Sequence, residues 1–267
     1  MGPMGRMSPI GRMSPLRPIP FMENPYESPR LLDEYLLFHY GYPADVLPWE
    51  CGPHDALGFP VRSVTAFLDA TPRDRALDLG CAVGRSAFEM SRFCREVVAV
   101  DYSHRFIAAA ETLRTAGSLL YSCCEEGARS RQLTARPPDG CPPERIAFEQ
   151  GDAMNLRPGL SDFDLVHAAN LLCRLPDPAR LLRLLPSLVR PGGTLIITTP
   201  CSWLEEFTPP AHWPPGTTLD WLRESLAPHF TLEKHADLPF LIREHARKFQ
   251  WSVALGTSWR KNPAPAG

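Results

Sequence analysis

Ala76-Leu77-Asp78-Leu79-Gly80-Cys81-Ala82-Val83-Gly84-Arg85 is the stretch on which the fold turns. Its apolar start reads as a short buried strand, and the two glycines that follow mark a turn. Gly80 and Gly84 let a backbone bend sharply and approach a ligand closely. A helix is expected next, through Phe88 and Met90. Two glycines beside a strand are also what a tight structural turn needs, and the G-x-G-x-x-G spacing of dinucleotide folds is absent.

Outward from this stretch the strand, turn and helix order repeats. Residues 97–100 (Val-Val-Ala-Val) form the next strand, ending at Asp101, and 106–113 read as a helix. A strand at 146–148 precedes Gly151-Asp152, and another runs through 163–167. A leucine-rich helix over 178–189 is broken by Pro191-Gly192-Gly193, and 194–199 is a strong strand. Such alternation predicts a mostly parallel sheet with helices on both faces. Upstream, Ser28 as N-cap, Pro29 in the first turn and Gly41 after the end bracket a helix. Leu31, Leu32, Tyr35, Leu36 and His39 share one face of it. A second helix is expected over about 55–68. Downstream, 219–226 is helical, while 230–235 and about 249–257 read as an antiparallel pair at the sheet edge. Residues 118–145 fit the alternation poorly and read as an insertion, a ribbon and a loop.

Gly5-Arg6-Met7-Ser8-Pro9 recurs as Gly11-Arg12-Met13-Ser14-Pro15, so residues 1–22 are expected to be a disordered tail. Residues 23–260 read as one domain. Its parts are a helical cap (23–70), a ligand-binding core (71–200) that contains the insertion, and a substrate-side part (201–260). Residues 261–267 are a second tail. Across 267 residues, 28 basic and 30 acidic side chains leave a net charge of −2. That balance argues against an electrostatic nucleic-acid binder and for a small-molecule or protein substrate. No apolar run approaches the ~18 residues a membrane span needs. The start of the chain lacks a secretory apolar stretch. Its prolines oppose the amphipathic helix of a transit peptide, despite Arg6, Arg12 and Arg17. A cytoplasmic location is expected. Eight scattered cysteines without a C-x-x-C pair predict neither zinc nor disulfides, and no metal is expected.

Three acids close successive strands: Asp78, Asp101 and Asp152. An acid at the second strand end can accept both hydroxyls of a ribose. Asp152 would meet an adenine edge. Asn170 follows the fourth strand and faces the other end of the crevice, as a ligand contact or as a turn-stabilising amide. Together with Pro191-Gly192-Gly193 before the fifth strand, this set resembles the class I S-adenosylmethionine-dependent methyltransferases. The resemblance implies a Rossmann-like α/β sandwich with a mostly parallel seven-stranded sheet and an antiparallel edge pair. It implies S-adenosyl-L-methionine as cofactor, held by Asp78, Gly80, Cys81, Ala82, Gly84, Asp101, Tyr102, Gly151, Asp152, Ala153 and Asn170. The family usually has glycine where this chain has Ala82.

Longer blocks narrow the likeness. They are Asn24-Pro25-Tyr26-Glu27, Glu34-Tyr35-Leu36-Leu37-Phe38-His39-Tyr40-Gly41 and Phe148-Glu149-Gln150-Gly151-Asp152. Three more are Ala169-Asn170-Leu171-Leu172-Cys173-Arg174-Leu175-Pro176-Asp177-Pro178, Trp203-Leu204-Glu205-Glu206-Phe207-Thr208, and the run from Leu238 to Trp251. These resemble the C-terminal methyltransferase domain of ovothiol synthases, the 4-mercaptohistidine N-methyltransferases, over about residues 23–260. The resemblance implies methyl transfer to an imidazole nitrogen of a thiolated histidine. The sulfoxide synthase domain that precedes it in those enzymes needs a histidine-rich metal motif, which this sequence does not contain. The thiolated substrate is therefore expected from elsewhere. The alternatives are another small-molecule or protein acceptor, or a cofactor-binding pseudoenzyme acting as a partner subunit.

The connection between the last two strands, about 237–248, is expected as a loop on the cofactor side. It carries Arg243, Glu244, His245 and Arg247. An arginine there would take the carboxylate of an amino-acid acceptor through two parallel hydrogen bonds. Glu244, Glu205 or Glu206 would pair its ammonium. Tyr26, Tyr35, Phe38, Tyr40 and Trp203 are candidates to stack an imidazole or enclose a sulfonium. The substrate candidates rank Arg243, His39, Tyr40, Asn170, Trp203, His245. Their structural alternatives are a solvated loop for the charges and core packing for His39, Trp203 and Trp251.

Overall fold

β1 (Arg73–Leu79) lies near the middle of a seven-stranded sheet. On one side it pairs in parallel with β2 (Cys94–Asp101), which pairs with β5 (Ile146–Gln150). On the other it pairs in parallel with β6 (Phe163–Ala169), which pairs with β7 (Val189–Thr199). β9 (Lys248–Lys261) runs antiparallel to β7, and β8 (Phe230–His245) closes the edge against β9. The strand order β5-β2-β1-β6-β7-β9-β8 reverses between β1 and β6. In such sheets ligands bind beyond the carboxyl ends of the strands at that reversal. The computed structural model describes residues 24–69 and 71–263, so the expected tail at 1–22 lies outside the described residues.

Strand pleating sorts the core into two layers. Ala76, Val97, Ala99, Leu165 and Ile196 face one cluster. It packs against α1 (Pro29–Tyr40), α3 (Phe59–Thr65), α4 (Arg85–Met90) and α5 (His104–Ala116). The alternate residues Leu77, Val98, Val100, Val166, Leu195 and Ile197 face α6 (Pro178–Leu188) and α7 (Thr218–Leu226). Helices thus cover both faces. The capping reading holds at α1: Ser28 Oγ accepts from the Leu31 amide, and the Gly41 amide donates to the Leu37 carbonyl. Residues 118–145 contain a separate two-stranded ribbon, β3 (Leu119–Glu126) with β4 (Arg129–Ala135).

Two expectations are corrected. The second helix does not run unbroken over 55–68. A 3-10 turn at His54–Ala56 is separated from α3 by Gly58, whose φ of +67° is left-handed. Pro60 then occupies the first turn of α3, where its missing N–H is tolerated. The second correction concerns residues 237–248, which are not a loop. β8 continues to His245 and turns back at once into β9, with Asp237 opposite Leu255 and His245 opposite Lys248. Pairing with β7 stops at Leu255, so the hairpin rises as an arm above the carboxyl edge of the sheet. Both faces of the arm find apolar partners. Phe240 packs on Phe59 and Phe38, with centroids 5.0 and 6.2 Å away, and Leu241 joins Leu47 and Ala56. Pro239 is accommodated because β8 is an edge strand. α2 (Pro43–Val46) completes this cap.

Candidate active site

The carboxyl edge is organised by backbone. Gly80 and Cys81 donate their amides to the Val100 carbonyl at 2.8 and 3.1 Å, so the turn after β1 folds back over the end of β2. Asp101 is locked there by two amides: Ala82 N donates to Oδ2 at 2.9 Å and Ser103 N to Oδ1 at 2.8 Å. Burial nevertheless raises its carboxyl to about 6, against the opposing effect of those amides; the negative charges of Asp78 and Glu27 add to the rise. Gly84 has φ +87°, and a Cβ there would stand 2.6 Å from the Phe148 ring, so the position requires glycine. Ala82 adopts φ +48°, a left-handed conformation that strains any residue with a Cβ by about 1–2 kcal/mol. The Gly151 amide donates to the Asp101 carbonyl at 2.9 Å. Asp152 Oδ1 accepts from the Met154 amide at 2.8 Å and closes a turn beyond β5, with Ala153 buried behind it. Asn170 also takes φ +54°, and its amide donates to the Thr198 carbonyl at 2.8 Å.

A roof of side chains stands over this edge. The 3-10 turn Pro25–Glu27 docks on the start of α5: Ser103 Oγ donates to the Tyr26 carbonyl at 3.1 Å, and the His104 amide donates to Glu27 Oε1 at 2.8 Å. A carboxylate at a helix N-terminus is favoured by the unpaired amides it meets. Tyr40 Oη donates to the Val83 carbonyl at 2.7 Å, which ties the end of α1 to the glycine turn. Tyr35 lies 4.9 Å from Phe106 and 6.0 Å from Tyr26, centroid to centroid, and His39 stacks on Tyr35 at 5.9 Å. Burial, then the positive charge of Arg85, lowers His39 to about 3, so its ring is neutral at physiological pH. Its Nδ1 is buried without a hydrogen-bond partner among the described residues.

A family profile described as a methyltransferase domain matches residues 54–250. The chain belongs to that family. Over 141 residues the methyltransferase is 30% identical to a ubiquinone biosynthesis O-methyltransferase of Xanthomonas campestris, covering 52% of this chain and 49% of that protein. Over 150 residues it is 30% identical to the trans-aconitate 2-methyltransferase of Deinococcus radiodurans, covering 55% and 46%. The chain thus spans about half the length of these relatives. In fold it resembles the N-methyltransferase NodS of Bradyrhizobium japonicum, solved with S-adenosyl-L-homocysteine. That likeness has a TM-score of 0.55 and 15% identity, covering 88% of this chain and 98% of that one. The seven-stranded, mostly parallel sheet with its antiparallel edge pair is that architecture.

The methyltransferase gathers Gly80, Ala82, Gly84, Asp101, Gly151, Asp152, Ala153 and Asn170 along one edge, with Tyr102 at its rim, 61% exposed. Cys81 contributes backbone there, while its thiol is buried and pushed well above the usual range by desolvation and then by Asp101. Asp78 is placed differently. It is 1% exposed and turned inward, accepting from Ser86 Oγ at 2.6 Å and meeting His167 Nδ1 at 2.8 Å. His167 Nε2 in turn meets Ser63 Oγ at 3.1 Å. Asp78 therefore braces the turn from beneath, with its carboxylate engaged by Ser86 and His167.

Among substrate candidates, His39 and Tyr40 stand in the roof and Asn170 at the edge. Arg243 does not reach the edge. Its guanidinium, 2% exposed, donates to the Asp45 carbonyl at 2.6 Å and pairs with Glu125 at 3.0 Å, which fastens the arm to α2 and β3. His245 lies at the tip of the arm, accepting from the Arg247 amide. Trp203 packs edge-on against Trp221 at 5.9 Å and donates to Thr218 Oγ1. The structure thus places Arg243 in packing and His245 at the surface, because the strand in place of the expected loop carries these two away from the edge, and it places Trp203 against α7. Sequence reasoning missed Arg174, Phe207 and the His167–Asp78 pair. Arg174 was findable, since it lies four residues past Asn170 in a block already singled out. Two clefts of about 200 and 280 Å3 lie at the opposite, amino-terminal edge and are bounded by Asp69, Arg73, Thr194 and Arg260. Their charges are paired across Arg73–Asp69 and Arg260–Glu233. No cluster of three potential metal ligands occurs among the described residues, and none of the helices there is long and apolar enough to cross a membrane.

Proposed function

We propose that the protein uses S-adenosylmethionine to methylate an imidazole nitrogen of a thiolated histidine. The cofactor agrees with the family and the fold, and the residues present fit it. Asp101 is a desolvated carboxylate supplied with only two donors, and two ribose hydroxyls would add the missing ones. The observation that carries the acceptor is the placing of Pro25–Glu27 and α1. Two of the blocks that resemble the mercaptohistidine N-methyltransferases, Asn24–Glu27 and Glu34–Gly41, roof the edge through Ser103, His104 and Val83.

The bound cofactor supplies a methyl group already activated on a sulfonium, so the chain need not provide a nucleophile. Its task is to hold the acceptor nitrogen in line with that methyl group and to exclude water. Tyr26, Tyr35 and His39 offer flat faces for an imidazole. Neutral His39 carries a buried Nδ1 without a partner among the described residues, and the acceptor ring would supply one. The attacking lone pair forms the N–C bond, the S–C electrons stay on sulfur, and the ring N–H proton passes to solvent. Incubation with methyl-labelled S-adenosylmethionine and a panel of histidine derivatives, read by mass spectrometry, tests the reading. Label on the ring nitrogen of a thiolated histidine is the expected result. Label only on other acceptors overturns it.

A further inference from the structure

Arg174 ends the 3-10 turn Leu172–Arg174 that follows Asn170 at the carboxyl end of β6. Its guanidinium lies over the Phe207 ring at 4.7 Å, and the Tyr26 ring lies 6.4 Å from Phe207 on the same side of the molecule. Nη1 is held by the Cys173 carbonyl at 3.1 Å and the Ser202 carbonyl at 3.3 Å. Those bonds engage one nitrogen, the Tyr26 side chain hydrogen-bonds the same guanidinium, and neither Nε nor Nη2 bonds a backbone carbonyl or a carboxylate among the described residues. Arg174 forms no ion pair with a carboxylate among the described residues, whereas Arg85 and Arg243 pair with Glu89 and Glu125. A half-buried cation without a counter-ion is costly, and an incoming carboxylate offsets that cost. A guanidinium held over an aromatic ring can offer two parallel donors to a carboxylate with little motion left to freeze.

We propose that Arg174 receives the carboxylate of the acceptor amino acid beside Tyr26, the task that Arg243 is too deeply engaged to perform. The inference rests on the histidine-derivative reading above and names the contact that selects an amino acid over a bare imidazole. The distance relations are consistent: Arg174 meets the roof at Tyr26, Tyr26 meets Tyr35, and Tyr35 carries His39.

The test compares thiolated histidine with its decarboxylated counterpart, thiolated histamine, as acceptors for the wild type, R174K and R174Q. The wild type should prefer the carboxylate-bearing acceptor by about 100-fold in kcat/KM, the worth of a charge-assisted bidentate pair. In R174Q the preference should collapse toward unity through KM, and R174K, which keeps the charge but not the fork, should fall between. Binding of S-adenosylhomocysteine by calorimetry reports that each variant is folded; should R174Q fail that check, R174K decides. A preference that survives in the folded variants overturns the role of Arg174 while methylation of thiolated histidine still stands. A wild type that binds S-adenosylhomocysteine yet methylates neither acceptor overturns both.

Discussion

Asp101 is held by the amides of two residues close to it along the fold, Ala82 and Ser103, whereas Tyr26, Tyr35 and His39 are held mainly by one another's rings. The carboxyl edge is therefore a backbone construction. Its geometry follows from strand order, two glycines and a few amides. The roof is a side-chain construction assembled from α1, α5, the turn after β6 and the segment around Phe207. A chain can keep the first while replacing the second, which is how one cofactor site comes to serve many acceptors.

The largest effect that separates the two regions lies beneath the edge. His167→Leu leaves the carboxylate of Asp78 and the hydroxyl of Ser63 buried without their partner. We expect a loss of about 3 kcal/mol in urea unfolding, as for other broken buried pairs. An unchanged midpoint would mean that the Asp78 network does not brace the turn. Next is Asp101→Ala, which should weaken S-adenosylhomocysteine binding by about 100-fold in calorimetry through lost charged hydrogen bonds. The carboxyl of Asp101 titrates near 6 in the folded chain against 3.8 when unperturbed. Because the native state holds that proton more tightly, the free protein should gain stability from this group as pH falls from about 6 toward 4. Affinity for the nucleoside, which needs the carboxylate, should fall over the same range. Asp101→Asn should abolish both trends, and a variant that keeps them would place the titration elsewhere.

The strands and the edge were legible because their signals are local. Gly80, Asp101 and Asp152 each mark the end of a strand, Gly84 opens the helix after the turn, and apolar runs name the strands themselves. The direction of a side chain is not local. Asp78 lies beside the glycine turn in the sequence, yet pleating points it inward to His167, a residue 89 positions away. The arm was misread because Leu238, Phe240 and Ile242 alternate as a strand does, while Arg243, Glu244 and His245 suggested a solvated loop. Burial of both faces of the arm by α1, α3 and Leu47 decides the matter, and no window of sequence contains those partners. Arg174 was passed over for the same reason: its partners Tyr26 and Phe207 are far from it in the chain.

A smaller effect sharpens the comparison on the roof side. His39→Phe keeps the stack on Tyr35 and removes the unpartnered Nδ1. Acceptor kcat/KM should fall about tenfold, the value of one hydrogen bond, while S-adenosylhomocysteine affinity changes by less than a factor of about three. Removal of an unpaired buried polar atom also leaves folding stability equal or higher. A variant that is stabilised with its turnover intact would make His39 a packing residue.

The smallest effect concerns Ala82, where a side chain intrudes on the backbone construction of the glycine turn. Ala82 donates to Asp101 from a left-handed conformation that costs an alanine about 1–2 kcal/mol and a glycine nothing. Glycine loses about 0.5–1 kcal/mol more chain entropy on folding. The difference leaves Ala82→Gly stabilised by roughly 0.5–1 kcal/mol in urea unfolding, by subtraction of those two effects. The same relief lets the turn settle against Asp101, and S-adenosylhomocysteine affinity should rise by no more than about fivefold. A destabilised variant would show that the Ala82 methyl group, which is buried against the core, packs well enough to offset the strain. In that case the departure from glycine is an adaptation of the turn to the roof above it, and the two regions are less independent than their bonding suggests.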